Sequence, residues 1–305
     1  MDGWHVEPRE PGPSRGMRVG VASLSLVIVV SLVGVGHTVV TRSQSTAYRA
    51  SPAPPSTPPQ APLPGAGAWA LPPRSWEPLP ASDASAPWAA AQRTALDGVA
   101  PVALTGCPAP AAVASEEEWR EAVTAQWGCV HAAWTPVLDG LGWPTAEPAL
   151  EFFTGAGSES DCGYLEAPAF YCSAGEGTVY FGEGHLRMAE IWGLAVNEMV
   201  NHEYAHHLQH LAGITDAKIS VAPSAEVERR AELQATCWSA TMTFHNAAVV
   251  FNDETLGSWE ERLETMLVDG VHGNRDSIRH WGVRGLYAST LGDCDTWVAP
   301  SELVA

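Results

Sequence analysis

The stretch NHEYAHHLQH, residues 201–210, places four histidines and a glutamate in a chain that holds 11 histidines in all. On a helix, His202 and His206 stand on one face with Cβ atoms about 5–6 Å apart, close enough for both imidazoles to bind one ion. Glu203, beside the first histidine, can reach the position left open on that ion. Two ligands and one general base at this spacing are the working parts of a zinc hydrolase helix. The chemistry is hydrolysis: the ion activates water and Glu203 takes its proton.

A catalytic zinc takes three protein ligands and keeps a fourth position open. A metzincin carries Gly and His at set positions after the second ligand. Here those positions hold Gln209 and Ala212, which excludes that class. His210 and Asp216 compete for the third place, but three ligands on successive turns of one straight helix diverge. Glu232, in RRAELQATC, is the best candidate, because the small residues Ala235, Ser239 and Ala240 follow it and let two helices approach closely. Glu228, one turn earlier, is its main rival; its neighbours Glu226, Arg229 and Arg230 suggest a solvated position.

The elements that must position these residues are legible in outline. Residues 188–211 have a helical pattern, and Gly213 follows as a residue suited to the left-handed conformation that ends helices. A second helix starts after Ser224, a good N-cap, and runs past Cys237 toward His245. Ser115, with Glu118 three residues on, has capping-box spacing. The helix it opens bears Trp119, Val123, Trp127, Val130 and Trp134 at three-to-four spacing, a stripe for the core. LEFFTG from Leu150 and TVYFG from Thr178 are β-branched and aromatic runs closed by glycine, and are predicted strands. Residues 258–288 are helical, broken at Gly270 and Gly273.

The 305 residues suit one sizeable domain with appendages. A net charge of −19, with Lys218 the only lysine, excludes nucleic acid as a partner, since phosphate binding needs clustered Lys and Arg. Residues 19–40 carry no formal charge and are long enough to cross a bilayer. Their length favours an uncleaved anchor over a signal peptide. Arg9, Arg15 and Arg18 precede the segment, which points to a cytoplasmic N-terminus. Residues 51–80 are rich in proline and act as a semi-rigid spacer. The expected organisation is a tail at 1–18, an anchor at 19–40, a linker at 41–84 and a globular domain at 85–305.

Six cysteines, none in a CxxC pair, all lie after the anchor, as disulfides outside the cytoplasm require. Short loops close at lower entropic cost. Proximity along the chain therefore pairs Cys162 with Cys172 and Cys107 with Cys129. That leaves Cys237 to Cys294, a bridge that would hold the helix bearing Glu232.

FYCSAGEGTVYFG, VNHEYAHHLQHLAGI, ELQATCWSA, HGNRDSIRHWGVRGL and CDTW, in this order, resemble the bacterial neutral zinc metallopeptidases, many of which are anchored by one N-terminal helix. The resemblance covers Phe170 to Trp297. It implies an α+β fold: a zincin-like metallopeptidase domain, mainly helical, with a small sheet. It also implies a zinc cofactor held by His202, His206 and Glu232, a peptide or protein substrate, and TVYFG as the edge strand that pairs with that substrate. His272 and Arg279, in the C-terminal block, become candidates for stabilising the oxyanion or for a structural role. One departure stands out: Thr236 occupies a place where the family usually has Asp, a residue able to orient a ligand histidine. A weakly catalytic, zinc-binding, membrane-anchored interaction module is therefore the alternative to an endopeptidase.

Overall fold

A computed structural model describes residues 69–305. The expected tail, anchor and most of the linker lie outside the described residues, among which no helix is long and apolar enough to cross a membrane. The fold is α+β, about half helical, with a small sheet.

Helix α1, Glu116–Leu141, begins as its capping residues dictate. Ser115 accepts the Glu118 N–H. The Glu118 carboxylate reaches back to the Ala114 N–H, one residue beyond the usual capping-box partner. The tryptophan stripe is core: Trp119, Trp127 and Trp134 are all buried. Full burial of each large apolar side chain contributes about 1.5–3 kcal/mol, so this stripe fixes which face of α1 meets the rest of the domain.

Strands β1 (Ala149–Phe153), β2 (Gly157–Ser158), β3 (Leu165–Glu166), β4 (Ala169–Cys172) and β5 (Thr178–Gly182) follow. The main sheet has the order β1-β5-β4, with β1 parallel and β4 antiparallel to β5. TVYFG, which is β5, is therefore the central strand and not an edge. All five of its residues pair with β1, and four residues of β4 pair with it on the other side. The free edges belong to β1 and β4.

Helix α2 spans Glu183–Ala189 and α3 spans Ala195–Leu211. The expected helix over 188–211 is thus interrupted between Ala189 and Ala195. The break turns Trp192 outward, where its indole N–H donates to Ser258 Oγ and its ring tilts against Trp259. After α3, Gly213 adopts the left-handed conformation (φ 76°) and turns the chain into α4, Ile214–Ser220. Helix α5, Ala225–Phe244, is capped by Ser224, which accepts the Val227 N–H. Helices α6 (Asp253–Thr265) and α7 (Arg275–Arg284) flank the break at Gly270 and Gly273.

Packing begins before the expected start at Ser85. The Trp69 indole N–H donates to Asp253 Oδ1, and its ring stacks on Phe251. Trp76 packs edge-on against His280 and Tyr287, and the Tyr287 hydroxyl donates to Pro72 O. Residues 69–84 therefore belong to the domain: their aromatic side chains are apolar anchors that proline content alone does not reveal. All three expected disulfides are formed: Cys107–Cys129, Cys162–Cys172 and Cys237–Cys294.

Candidate metal centre

Helices α3 and α5 run antiparallel and close together. Ser239 Oγ donates to Glu198 O at one end of the contact, and Gln209 Nε2 donates to Ala231 O at the other. Ala235, Ser239 and Ala240 are all buried along the α5 seam. Their small side chains let Glu232 reach across to α3.

The result is a compact triangle of donor atoms. His202 Nε2 lies 3.2 Å from His206 Nε2 and 3.2 Å from Glu232 Oε2, and His206 Nε2 lies 3.4 Å from the same oxygen. Ligand atoms at 2.0–2.1 Å from a tetrahedral zinc stand about 3.3–3.4 Å apart. The triangle therefore has the size of one face of a zinc tetrahedron. Among the described residues, these three are the group of His, Cys, Asp or Glu that could hold a metal ion.

Glu203 supplies the fourth element. It is 3% exposed, and its Oε2 has no hydrogen-bond partner. Burial raises its pKa, and the charges of Glu232 and Glu198 act in the same direction, while the two imidazoles oppose them. A buried carboxylate oxygen without a partner is costly, so its persistence beside the triangle fits a group that works on a bound water. Burial likewise opposes ionisation of Glu232, but the charges and hydrogen bonds of His206 and His202 more than offset it and hold its pKa well below the usual range. Burial disfavours protonation of His206, yet the Glu232 charge and hydrogen bond prevail and carry it up to about 9. Protons and a metal compete for the same lone pairs here.

The rivals for the third ligand are engaged elsewhere. His210 Nδ1 bonds the Tyr171 hydroxyl at 3.0 Å. Glu228 pairs with Lys218 at 2.7 Å, and Asp216 lies in α4. His207 turns to the core, where its ring meets Tyr204 and Tyr171, and burial lowers its pKa to about 3. Thr236 donates its hydroxyl to Glu232 O, one turn back on its own helix, and not to a ligand histidine. His272 pairs with Asp269 at 2.9 Å, and Arg279 pairs with Glu264 at 3.5 Å, both near the surface. Neither makes a hydrogen bond to the triangle.

A further residue of the site is one that sequence reasoning used only to exclude a class. Gln209 Oε1 accepts from His206 Nδ1 at 2.8 Å. Gln209 Nε2 in turn donates to Ala231 O and to Gln234 Oε1. The spacing of three residues from His206 on a helix is the signal that could have found it.

Strand β4 borders the same helix. The Tyr171 hydroxyl touches Nδ1 of both His207 and His210. Its position depends on Gly177, where φ is 88° and a Cβ would collide with the tyrosine ring.

No family model matches the chain, and no solved structure matches it. Among curated proteins, it is similar to uncharacterized proteins of Mycobacterium bovis and Mycobacterium tuberculosis. Identity is 29% over 135 residues, 42% of this chain, and the match spans 44% of those relatives' length.

Proposed function

We propose that this chain is a zinc-dependent endopeptidase of the HExxH type, with Glu232 as third ligand, akin to the bacterial neutral zinc metallopeptidases. The observation that carries this reading is the triangle of His202, His206 and Glu232 with the unpartnered Glu203 oxygen beside it. When bound, zinc supplies a Lewis acid that polarises the substrate carbonyl and lowers the pKa of a coordinated water toward about 7.

The protein's own groups do the rest. Glu203 Oε2 accepts the proton of the attacking water and delivers it to the departing amine. His202 is buried, while His206 and Glu232 keep part of their side chains exposed, which leaves the triangle open to a substrate on one side. With β5 central, the extended substrate pairs with the free edge of β4, the strand that borders α3 through Tyr171.

Three formed disulfides favour work in an oxidising compartment. With the apolar segment 19–40 as anchor, the catalytic domain faces outward from the cell membrane. The alternative, a zinc-binding interaction module with little turnover, draws support from Thr236, whose hydroxyl is spent on its own helix.

Metal analysis and peptide-hydrolysis assays on wild type and Glu203→Gln separate the two. The peptidase retains about one zinc in both forms and loses at least ~100-fold in turnover in the variant, because base catalysis contributes about 10²–10⁴. Equal turnover in both forms sinks the peptidase reading. Absence of zinc from both sinks the metal site.

A further inference from the structure

We propose that Gln209, held by the Ala231 carbonyl and by the Gln234–Trp297 pair, fixes the proton of His206 on Nδ1 and leaves Nε2 free for the metal. The inference rests on the metal-site reading above and deepens it. It makes Gln209, Gln234 and Trp297 positioning residues of the centre.

An indole can only donate a hydrogen bond. Trp297 Nε1 donates to Gln234 at 3.1 Å, so the Gln234 atom that faces it must be the amide oxygen. That same oxygen lies 3.0 Å from the Gln209 amide, which must then present its NH₂ group. A second anchor demands the same orientation: the Gln209 NH₂ also faces the carbonyl of Ala231 at 2.8 Å, and a carbonyl only accepts. With its nitrogen committed twice, Gln209 turns its oxygen to His206 Nδ1 at 2.8 Å. An oxygen there requires that Nδ1 carry the proton. The lone pair of the neutral ring is then on Nε2, the atom that faces His202 and Glu232. Each amide orientation, ordinarily ambiguous, follows here from a group that has only one possible role.

The origin of the chain is held firmly. Gln209, Gln234 and Trp297 are all buried. Trp297 O accepts from Trp88 Nε1 and Gln92 Nε2, and its N–H donates to Asp295 Oδ1. Arg230 donates to Thr296 O, and the Thr296 hydroxyl donates back to Arg230 O. The Cys237–Cys294 bridge lies three residues from Gln234 on one side and three from Trp297 on the other. The indole therefore cannot drift from α5.

The test uses the full-length chain and Zn²⁺ alone, with affinity read by chelator competition. Gln209→Met removes the acceptor at His206, and loss of such an outer partner lowers affinity ~10–100-fold. Trp297→Phe keeps the ring and removes only the N–H; the Ala231 carbonyl still holds Gln209, so we expect a smaller loss, below ~10-fold, the lower end of that range. The double variant should bind as Gln209→Met alone does, because the indole acts only through Gln209. Losses that multiply, or wild-type affinity in either Gln209→Met or Trp297→Phe, overturn the proposal. If Trp297→Phe does not fold, Gln234→Leu replaces it, with the same expectation.

Nitrogen chemical shifts of selectively labelled His206 in the zinc-free wild type give an independent readout. A proton on Nδ1 of the neutral ring supports the assignment. A proton on Nε2 overturns it, whether or not zinc binds. A wild type that binds no zinc ends the metal-site reading instead.

Discussion

Nε2 of His202 lies 3.2 Å from Oε2 of Glu232, thirty residues away on another helix. The contact exists because α3 and α5 approach over small buried residues, and it converts a two-histidine motif into a three-ligand face. Glu232→Ala should lower zinc affinity by more than the ~10–100-fold typical of an outer partner. Glu228→Ala should leave it unchanged, since that carboxylate serves Lys218. Metal content after dialysis against a weak chelator checks both. Zinc retained by Glu232→Ala would move the third ligand elsewhere.

Thr236 stands one turn after Glu232 on the same helix, buried, with its hydroxyl bonded back to Glu232 O. Among the described residues, nothing bonds Nδ1 of His202. A carboxylate at position 236 that reaches that nitrogen would give it an acceptor. Thr236→Asp should raise zinc affinity or turnover by ~10-fold or more, the scale of an added outer partner. An affinity that falls would show that position 236 does not address the ligands.

Asp295 reports on pH. Burial pushes its carboxyl up to about 7, and the nearby Asp97 adds to the effect, while the Trp297 N–H and Arg230 oppose it. The unfolded value is about 3.9. Between these limits the folded state holds the extra proton, so this group's contribution to stability falls as pH rises from about 4 to 7. Asp295→Asn keeps an oxygen for the Trp297 N–H and cannot ionise. Its advantage over wild type in thermal melting should be largest above pH 7 and vanish below pH 4. A difference independent of pH would show that Asp295 is not the group responsible.

His185 works in the opposite sense. Burial, aided by Arg262, lowers its pKa to about 4, against its hydrogen bond to Ala195 O. Nδ1 accepts the Trp119 indole N–H, and Nε2 donates to Ala195 O, so the buried ring is neutral. The unfolded value is about 6.5. Stability from this group is complete above that pH and is lost as pH falls from 6.5 toward 4. His185→Gln should flatten the acid limb of the melting profile while lowering stability at neutral pH by about 1–3 kcal/mol, the range for disrupted buried hydrogen bonds. An acid limb identical to wild type would refute this.

The Cys237–Cys294 bridge closes a loop of 57 residues. The chain-entropy account gives such a loop about 4 kcal/mol of stabilisation. Replacing both cysteines by alanine should lower stability by up to that amount in denaturant unfolding. Peptide mapping without reduction should recover the two residues in one linked peptide. An alkylatable Cys237 in native-sequence protein would contradict the bridge.

Local physics made much of this protein legible from sequence. His202, Glu203 and His206 depend only on helical period, so their shared face needed no fold. Ser115 and Ser224 cap because their hydroxyls meet N–H groups three residues away, and the tryptophan stripe of α1 follows from the helical period. Two short separations suggested Cys162–Cys172 and Cys107–Cys129 and left Cys237 for Cys294, and the fold forms all three. Tertiary structure decided what depends on distant partners. Strand β5 is central because both β1 and β4 pair with it, and no property of TVYFG alone distinguishes an edge from a centre. Trp69 and Trp76 join the core through contacts with residues near 251 and 280 that a proline-rich sequence does not announce. Glu232 prevailed over Glu228 because helix rotation turned one carboxylate to α3 and the other to Lys218. The amides of Gln209 and Gln234 acquire their orientation only from Ala231 O and the Trp297 indole, groups that packing brings to them and sequence spacing does not.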